Sequence, residues 1–225
     1  MIPCISVENM RSSDAYTIAS SVPSLVLMHR AAMGVFRAIS WFGNTAIVVG
    51  SGNNGGDGFA LACILKEHGF LCTVFTVSQR LSPDSAHYAS LCKKAAVPVL
   101  PFSHGCLDGF DFVVDCLLGT GFSGTVCGNY QEAIEAINAS SAFVVSVDIN
   151  SGMNGDTGEV QLAVRSDLTV TIGYIKTGLV SKNAEKYIKR LICADIGIIL
   201  LREEGYITTE NCPKWLDMNV LSAIE

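Results

Sequence analysis

Residues 45–60 read TAIVVGSGNNGGDGFA. An apolar, largely β-branched run stops at five glycines, two adjacent asparagines and one aspartate, and apolar residues resume at Phe59. A buried strand that breaks into glycine and restarts with helical periodicity is the opening unit of a parallel α/β sheet. Gly50, Gly52 and Gly55 also spell G-x-G-x-x-G, a pattern that lets backbone approach a phosphate at a helix N-terminus.

The same alternation continues along the chain. Short β-branched runs predict strands at 45–49, 71–77, 98–102, 112–117, 143–148, 168–172 and 191–194, with helices at about 58–68, 83–95 and 129–139 between them. Two more helices, 7–19 and 23–40, precede the first strand and are expected on the sheet's rim or at a subunit interface. The fold class is therefore α/β, a mostly parallel central sheet with helices on both faces. Residues 1–205 are read as one domain. Residues 206–225, including NCPKWLDMNVLSAIE, are read as a C-terminal extension that could link to a further domain.

Composition narrows the function classes. The hydrophobic fraction of 49% and mean hydropathy of +0.39 supply a core and exclude a disordered chain. A net charge of −6 with scattered acids and bases gives no nucleic-acid surface, and no apolar run reaches membrane-spanning length. Nine cysteines without a C-x-x-C pair suit reduced, mostly buried thiols in a cytoplasmic protein.

In an open parallel sheet, ligands bind beyond the carboxyl ends of the strands, so the residues just after each strand carry the information. Three segments qualify: GSGNNGGDG (50–58), DCLLGTGFSG (115–124) and DINSGMNGDTGE (148–159). The first lacks one part of the dinucleotide fingerprint, an acid after the second strand, where TVSQR (76–80) stands instead. Asn53, Asn54 and Asp57 exceed what a bare turn needs. Gly119, Thr120, Gly121, Phe122, Ser123 and Gly124 form a second candidate phosphate cradle. Asp115 and Asp148 each end an apolar strand, where a carboxylate needs donors or cations; a loop cap for Asp115 and an Asx-turn for Asp148 are the plain alternatives.

GNNGGDGFALACILKEHGF, DCLLGTGFSG, VVSVDINSGMNGDTGE and TVTIGYIKTGL, in this order and spacing, resemble the NAD(P)HX epimerases, the YjeF N-terminal domain. LMHRAA (27–32) and ADIGI (194–198) resemble two further motifs of that family, so the likeness covers most of residues 7–200. The resemblance implies a Rossmann-like three-layer αβα sandwich. It also implies a repair isomerase that interconverts the R and S epimers of NADH or NADPH hydrated at C6. Carried over by motif, Asn53, Asn54, Gly55, Gly56, Asp57, Gly119, Thr120, Gly121, Phe122, Ser123, Gly124, Thr125 and Asp148 would bind the substrate. Asp148 would be the acid/base, and Asn54, Asp115 and Ser151 would ligate a potassium ion. The resemblance further implies a homodimer and, in some members, a following ATP- or ADP-dependent dehydratase domain.

One carboxyl can serve such a reaction by protonating the leaving hydroxyl and then accepting a proton from the incoming water. Asp148→Asn is accordingly expected to slow epimerisation while leaving stability little changed. Four positions depart from the family pattern. Asn150 stands where proline is usual, which should loosen the turn, His29 and Arg30 replace a Glu-Asn pair, and Ala32 stands where glycine is usual. Lys176 reads equally as a substrate contact or a solvated loop charge, and Arg80 could favour a 2′-phosphate. The alternative to the epimerase is a non-catalytic YjeF_N-type binding or scaffold module, which would have no reason to keep Asn54, Asp115, Asp148 and Ser151 together.

Overall fold

The computed structural model describes residues 1–224. In chain order the elements are β1 (Ile2–Ile5), α1 (Val7–Ser20), α2 (Ser24–Arg37), β2 (Asn44–Val49), α3 (Asn53–Glu67), β3 (Leu71–Thr76), α4 (Pro83–Lys94), β4 (Val99–Pro101), β5 (Phe112–Cys116), α5 (Asn129–Ala139), β6 (Phe143–Val147), β7 (Leu168–Ile172), β8 (Ile175–Lys176), β9 (Leu191–Asp195), β10 (Gly205–Ile207) and β11 (Leu216–Ser222). All seven expected strands and all five expected helices are present.

Eight strands form one sheet in the order β11-β9-β7-β6-β5-β2-β3-β4, and every neighbouring pair is parallel. The order reverses between β2 and β5, so the chain leaves these two strands toward opposite edges and opens a crevice between their carboxyl ends. Side-chain alternation sorts the two faces. Ile47, Val49, Val74, Val114, Val145 and Val170 pack with α2, α3 and α4 in one core. Ala46, Val48, Val113 and Val144 meet Ala133, Ile134 and Ile137 of α5 in another.

The second face departs from a plain αβα sandwich. Beside α5 it is covered by a three-stranded sheet, order β10-β1-β8, whose Ile2, Cys4, Ile175 and Ile207 pack on Leu191, Cys193 and Leu216. The boundary expected at residue 205 therefore falls inside the fold: β10 pairs with β1, and β11 is the edge strand of the main sheet. The apolar stripe of α2 (Leu27, Met28, Ala31, Ala32, Val35) is buried within its own chain. That helix rests on the sheet rather than needing a second copy.

Candidate active site

Helix α3 starts at Asn53, five residues earlier than its apolar periodicity suggested. The glycine-rich stretch is thus the helix's first turns rather than a loop. Gly52 is its N-cap, and no side chain caps it, so first-turn N–H groups are left for a ligand. A Cβ on Gly55 would lie 2.3 Å from the Gly50 carbonyl oxygen, and one on Gly56 would lie 2.5 Å from Met28 Cε. These two glycines permit close packing; both are buried, and neither lines the adjoining cleft.

That cleft has a volume of about 590 Å³ and lies at the carboxyl ends of β2, β5 and β6. Asn53, Asn54 and Asp57 line it from α3, and Gly119, Thr120, Gly121, Phe122 and Ser123 from the loop after β5. Asp148 lines it from the end of β6, Met28 and Ala31 from α2, and Arg11, Asp14 and Ile18 from α1. Gly124 belongs instead to a neighbouring cavity of about 770 Å³, lined in part by residues 158–162 and 185–187, which shares Phe122 and Ser123 with the cleft. Thr125 and Arg80 are not among the residues lining either one.

Asp148 adopts a φ of +69°, one of two non-glycine residues at positive φ among the described residues. Left-handed backbone is uncommon outside glycine and is tolerated best by Asn and Asp. Here it turns the carboxylate into the cleft. Oδ1 receives the ammonium of Lys176, and Oδ2 accepts from Thr120 N at 3.3 Å. A Cβ on Gly119 would stand 3.1 Å from Oδ2, so glycine at that position leaves the carboxylate room.

Lys176 is fully buried and also donates to Thr171 Oγ1 (3.1 Å) and the Ile172 carbonyl (2.7 Å). It is not a solvated loop charge; all three protons are committed, and it forms a fixed cationic wall behind Asp148.

Three more carboxylates line the same space, Asp14, Asp57 and Asp84. Burial, and then the charges of Asp148 and Asp14, hold Asp57 well above the ordinary carboxylate range, with Lys176 opposing. Burial first, then Asp148, pushes Asp14 up, again with Lys176 opposing. Asp14 was not among the residues expected from sequence. Its signal was the spacing Met10, Asp14, Ile18, one helical face that lines the cleft.

Beneath the cleft lies a buried polar knot. Both oxygens of fully buried Asp115 are engaged: Leu117 N (3.2 Å) and Ser151 Oγ donate to Oδ1, while Ser146 Oγ (2.9 Å) and Ser151 N (2.9 Å) donate to Oδ2. Burial raises the Asp115 carboxyl, and these bonds offset part of the rise. Asn54 Nδ2 donates to the Leu118 carbonyl at 2.9 Å, and Ser151 Oγ reaches the same carbonyl at 3.2 Å. Asn54, Asp115 and Ser151 thus meet around Leu118. Asn54 Oδ1 is buried with no hydrogen-bond partner.

Asn150 does not loosen its turn. It is fully buried; Nδ2 donates to Val164 O (3.0 Å), Ser166 Oγ (3.0 Å) and Tyr187 O (3.2 Å), and Oδ1 accepts from Thr169 Oγ1 (2.6 Å). On α2, His29 is exposed, while Arg30 donates to the carbonyl of cleft-lining Ile196 at 3.1 Å without itself lining the cleft.

Comparison with known proteins gives a consistent picture. The chain is 40% identical over 199 residues to the NAD(P)H-hydrate epimerase of Limosilactobacillus fermentum, covering 85% of this chain and 95% of that one. It is 38% identical over 196 residues to the bifunctional NAD(P)H-hydrate repair enzyme Nnr of Coxiella burnetii, covering 84% of this chain and 40% of that one. The crystal structure of yeast ynu0, YNL200c, superposes with a TM-score of 0.70 at 21% identity over 94% of this chain and 99% of that one, which shows a shared fold. The family profile described as YjeF-related protein N-terminus matches residues 24–178, and the chain belongs to that family.

Proposed function

We propose that this chain is an NAD(P)H-hydrate epimerase, an isomerase that interconverts the R and S forms of NADH or NADPH hydrated at C6. The observation that carries the reading is the cleft itself, in which Asp148, salt-bridged to a buried lysine, and Asp57, whose carboxyl burial holds well above the ordinary range, face one space fronted by the uncapped N-terminus of α3. The relatives' names point the same way.

The chemistry follows from the substrate. The ring nitrogen's lone pair can expel the C6 hydroxyl if that oxygen is protonated, leaving water and an iminium cation. Asp57, kept above the usual range, is the proton donor. Water then adds to the opposite face of C6, and Asp148 takes its proton. The reverse conversion exchanges the two roles. Once Asp57 has given up its proton, the four carboxylates of the cleft (Asp14, Asp57, Asp84 and Asp148) outnumber its two cations, Arg11 and Lys176, and this acidic lining stabilises the cation as it forms. The first-turn N–H groups of α3 and the Gly119–Ser123 loop would hold the pyrophosphate, and the adenosine half would extend past Phe122 into the second cavity.

A potassium ion fits the donors beneath the cleft. The unpartnered Asn54 Oδ1, Ser151 Oγ and one carboxylate form an oxygen-only set of low charge. When bound, such an ion would offset negative charge near the phosphates. Replacing potassium with choline should lower Tm, and Asn54→Ala should abolish that difference; an ion-independent Tm would remove the cation from the reading.

The nine unpaired thiols support a cytoplasmic location, and among the described residues no helix is long and apolar enough to cross a membrane. A homodimer remains part of the proposal and is tested by light scattering. A dehydratase, in a continuation of the native chain or as a separate protein, is the partner activity the reading calls for. The central test is to supply each epimer separately and follow the appearance of the other by chromatography. Absence of interconversion above the spontaneous rate would leave only the scaffold alternative.

A further inference from the structure

Helices α3 and α4 lie side by side on one face of the sheet, and each presents a cysteine to the other. The sulfurs of Cys63 and Cys92 are 3.4 Å apart. Cys63 is partly exposed, whereas Cys92 is fully buried and also donates to the Phe59 carbonyl at 3.2 Å. The pair is asymmetric in access, and the contact acts on the two thiols in opposite directions. The hydrogen bond with Cys92 pulls the Cys63 thiol below its ordinary value, against burial and the charge of Glu67. The same bond, with burial, pushes the Cys92 thiol up. A partly exposed sulfur, its thiol lowered by the contact, touching a fully buried one is the arrangement of an attacking and a resolving thiol. Nothing in the epimerisation uses either residue.

We propose that Cys63 and Cys92 are a redox pair which a peroxide oxidises to an intramolecular disulfide joining α3 to α4. The Cys63 thiolate attacks one peroxide oxygen, the O–O bond breaks, hydroxide leaves and Cys63 becomes a sulfenic acid. The Cys92 sulfur then attacks the Cys63 sulfur; the S–S bond forms, the S–O bond breaks, and the departing oxygen leaves as water with the Cys92 proton. Two electrons pass from the two sulfurs to the peroxide.

The sulfurs must close from 3.4 Å to about 2.05 Å, a change that side-chain rotation and a slight approach of two already packed helices supply. The bond would add a covalent clamp toward the C-terminal ends of α3 and α4, about 15 Å along each helix from their N-terminal contacts at the cleft, where Ser82 Oγ donates to Asn53 Oδ1 at 2.7 Å and Ser85 Oγ to the Gly52 carbonyl at 2.7 Å.

The test treats the folded full-length chain with stoichiometric hydrogen peroxide, blocks remaining thiols by alkylation, and maps unreduced peptides by mass spectrometry. The expected product is a linked peptide pair carrying Cys63 and Cys92, with a Tm raised by roughly 5 to 10 °C, both reversed by dithiothreitol. In Cys92→Ser, Cys63 should be trapped by dimedone as the sulfenic acid; in Cys63→Ser, Cys92 should stay a free thiol. If Cys92→Ser does not fold, Cys92→Ala serves the same purpose. A wild-type digest in which Cys63 and Cys92 remain unlinked while exposed Cys127 takes the oxidant overturns the proposal. The readout is the bond itself, so the outcome is independent of whether the chain epimerises a nucleotide.

Discussion

Asp148 joins two features that pull its substitutions in different directions. Its φ of +69° suits Asp and Asn alike, so Asp148→Asn should keep the turn. Its partner Lys176 is fully buried, however, and the amide would leave that ammonium without an anionic neighbour. Breaking a buried pair from one side costs about 3 kcal/mol. Asp148→Asn is therefore expected to slow epimerisation by roughly two to four orders of magnitude, and also to lower the urea midpoint measurably. This revises the expectation from sequence of little stability change; an unchanged midpoint would mean that Lys176 finds water or another acceptor. Asp57 behaves oppositely. Its folded pKa lies above the unfolded value, so the folded state binds the extra proton, and the contribution to stability declines as pH rises through that window. Asp57→Asn should raise stability at neutral pH by about 1 kcal/mol and cut turnover by about a hundredfold. Denaturation of mutant and wild type at pH 5 and pH 7.5 should show the gap widening with pH, and a pH-independent gap would sink the assignment. Asp148 was legible in the sequence because it ends an apolar strand. Asp14 was not singled out, since its one signal is a helical spacing with Met10 and Ile18 that says nothing of what the face meets, and the burial of Lys176 depends on a carboxylate 28 residues away.

At the scale of elements, periodicity located every strand of the main sheet except β11, and every helix, but misplaced the start of α3. Three glycines in its first turns read as loop because glycine is a poor helix former; the packing partners that require them come from β2 and α2. Helix α1 shows the same dependence on distant chain. Its buried stripe is polar: Asn9 Nδ2 donates to the Arg202 carbonyl (2.7 Å), Ser13 Oγ accepts from Leu201 N (3.1 Å) and Thr17 Oγ1 accepts from Ile199 N (2.9 Å). No apolar periodicity could reveal a helix face that serves as a hydrogen-bonding edge. The turn after β6 is the sharpest case. Where the family pattern has a rigid proline, Asn150 ties β7 and the segments around Val164 and Tyr187 together with four bonds from one buried amide. Asn150→Ala would leave the buried Val164 carbonyl without its donor, while Thr169 Oγ1 keeps Ser166 Oγ (2.7 Å) and the Tyr187 carbonyl keeps Ser166 N (2.8 Å), at a cost of about 1 to 3 kcal/mol. A calorimetric Tm within 1 °C of wild type would show that these bonds are replaced at no cost.

For the whole molecule, the question is what completes the sheet. Seven parallel strands leave β9 with one unpaired edge, and β11 closes it from a segment that reads in sequence as an extension because Lys214, Asp217 and Asn219 interrupt its apolar pattern. Those polar residues fit an edge strand, which faces solvent on one side and deters further pairing. Arg190 holds Asp217 at 2.8 Å, Leu191 N donates to the Trp215 carbonyl at 2.7 Å, and Trp215 Nε1 donates to the Leu179 carbonyl at 3.0 Å. Leu216 packs in the core that also holds Leu191 and Ile175, and Ala223 lies under α2, 3.5 Å from where a Cβ on Gly34 would stand. Ending the chain at Glu204 would remove β10 and β11 together, uncovering the edge of β9 and one side of β1. The truncated protein is expected to lose at least about 10 °C in Tm, or to aggregate through the exposed edge. It should lose epimerase activity in proportion to its folded fraction, because no residue of the cleft lies beyond Ile196. A soluble truncated chain with wild-type Tm and full turnover would show that residues 206–225 are dispensable after all, and would restore the domain boundary at residue 205.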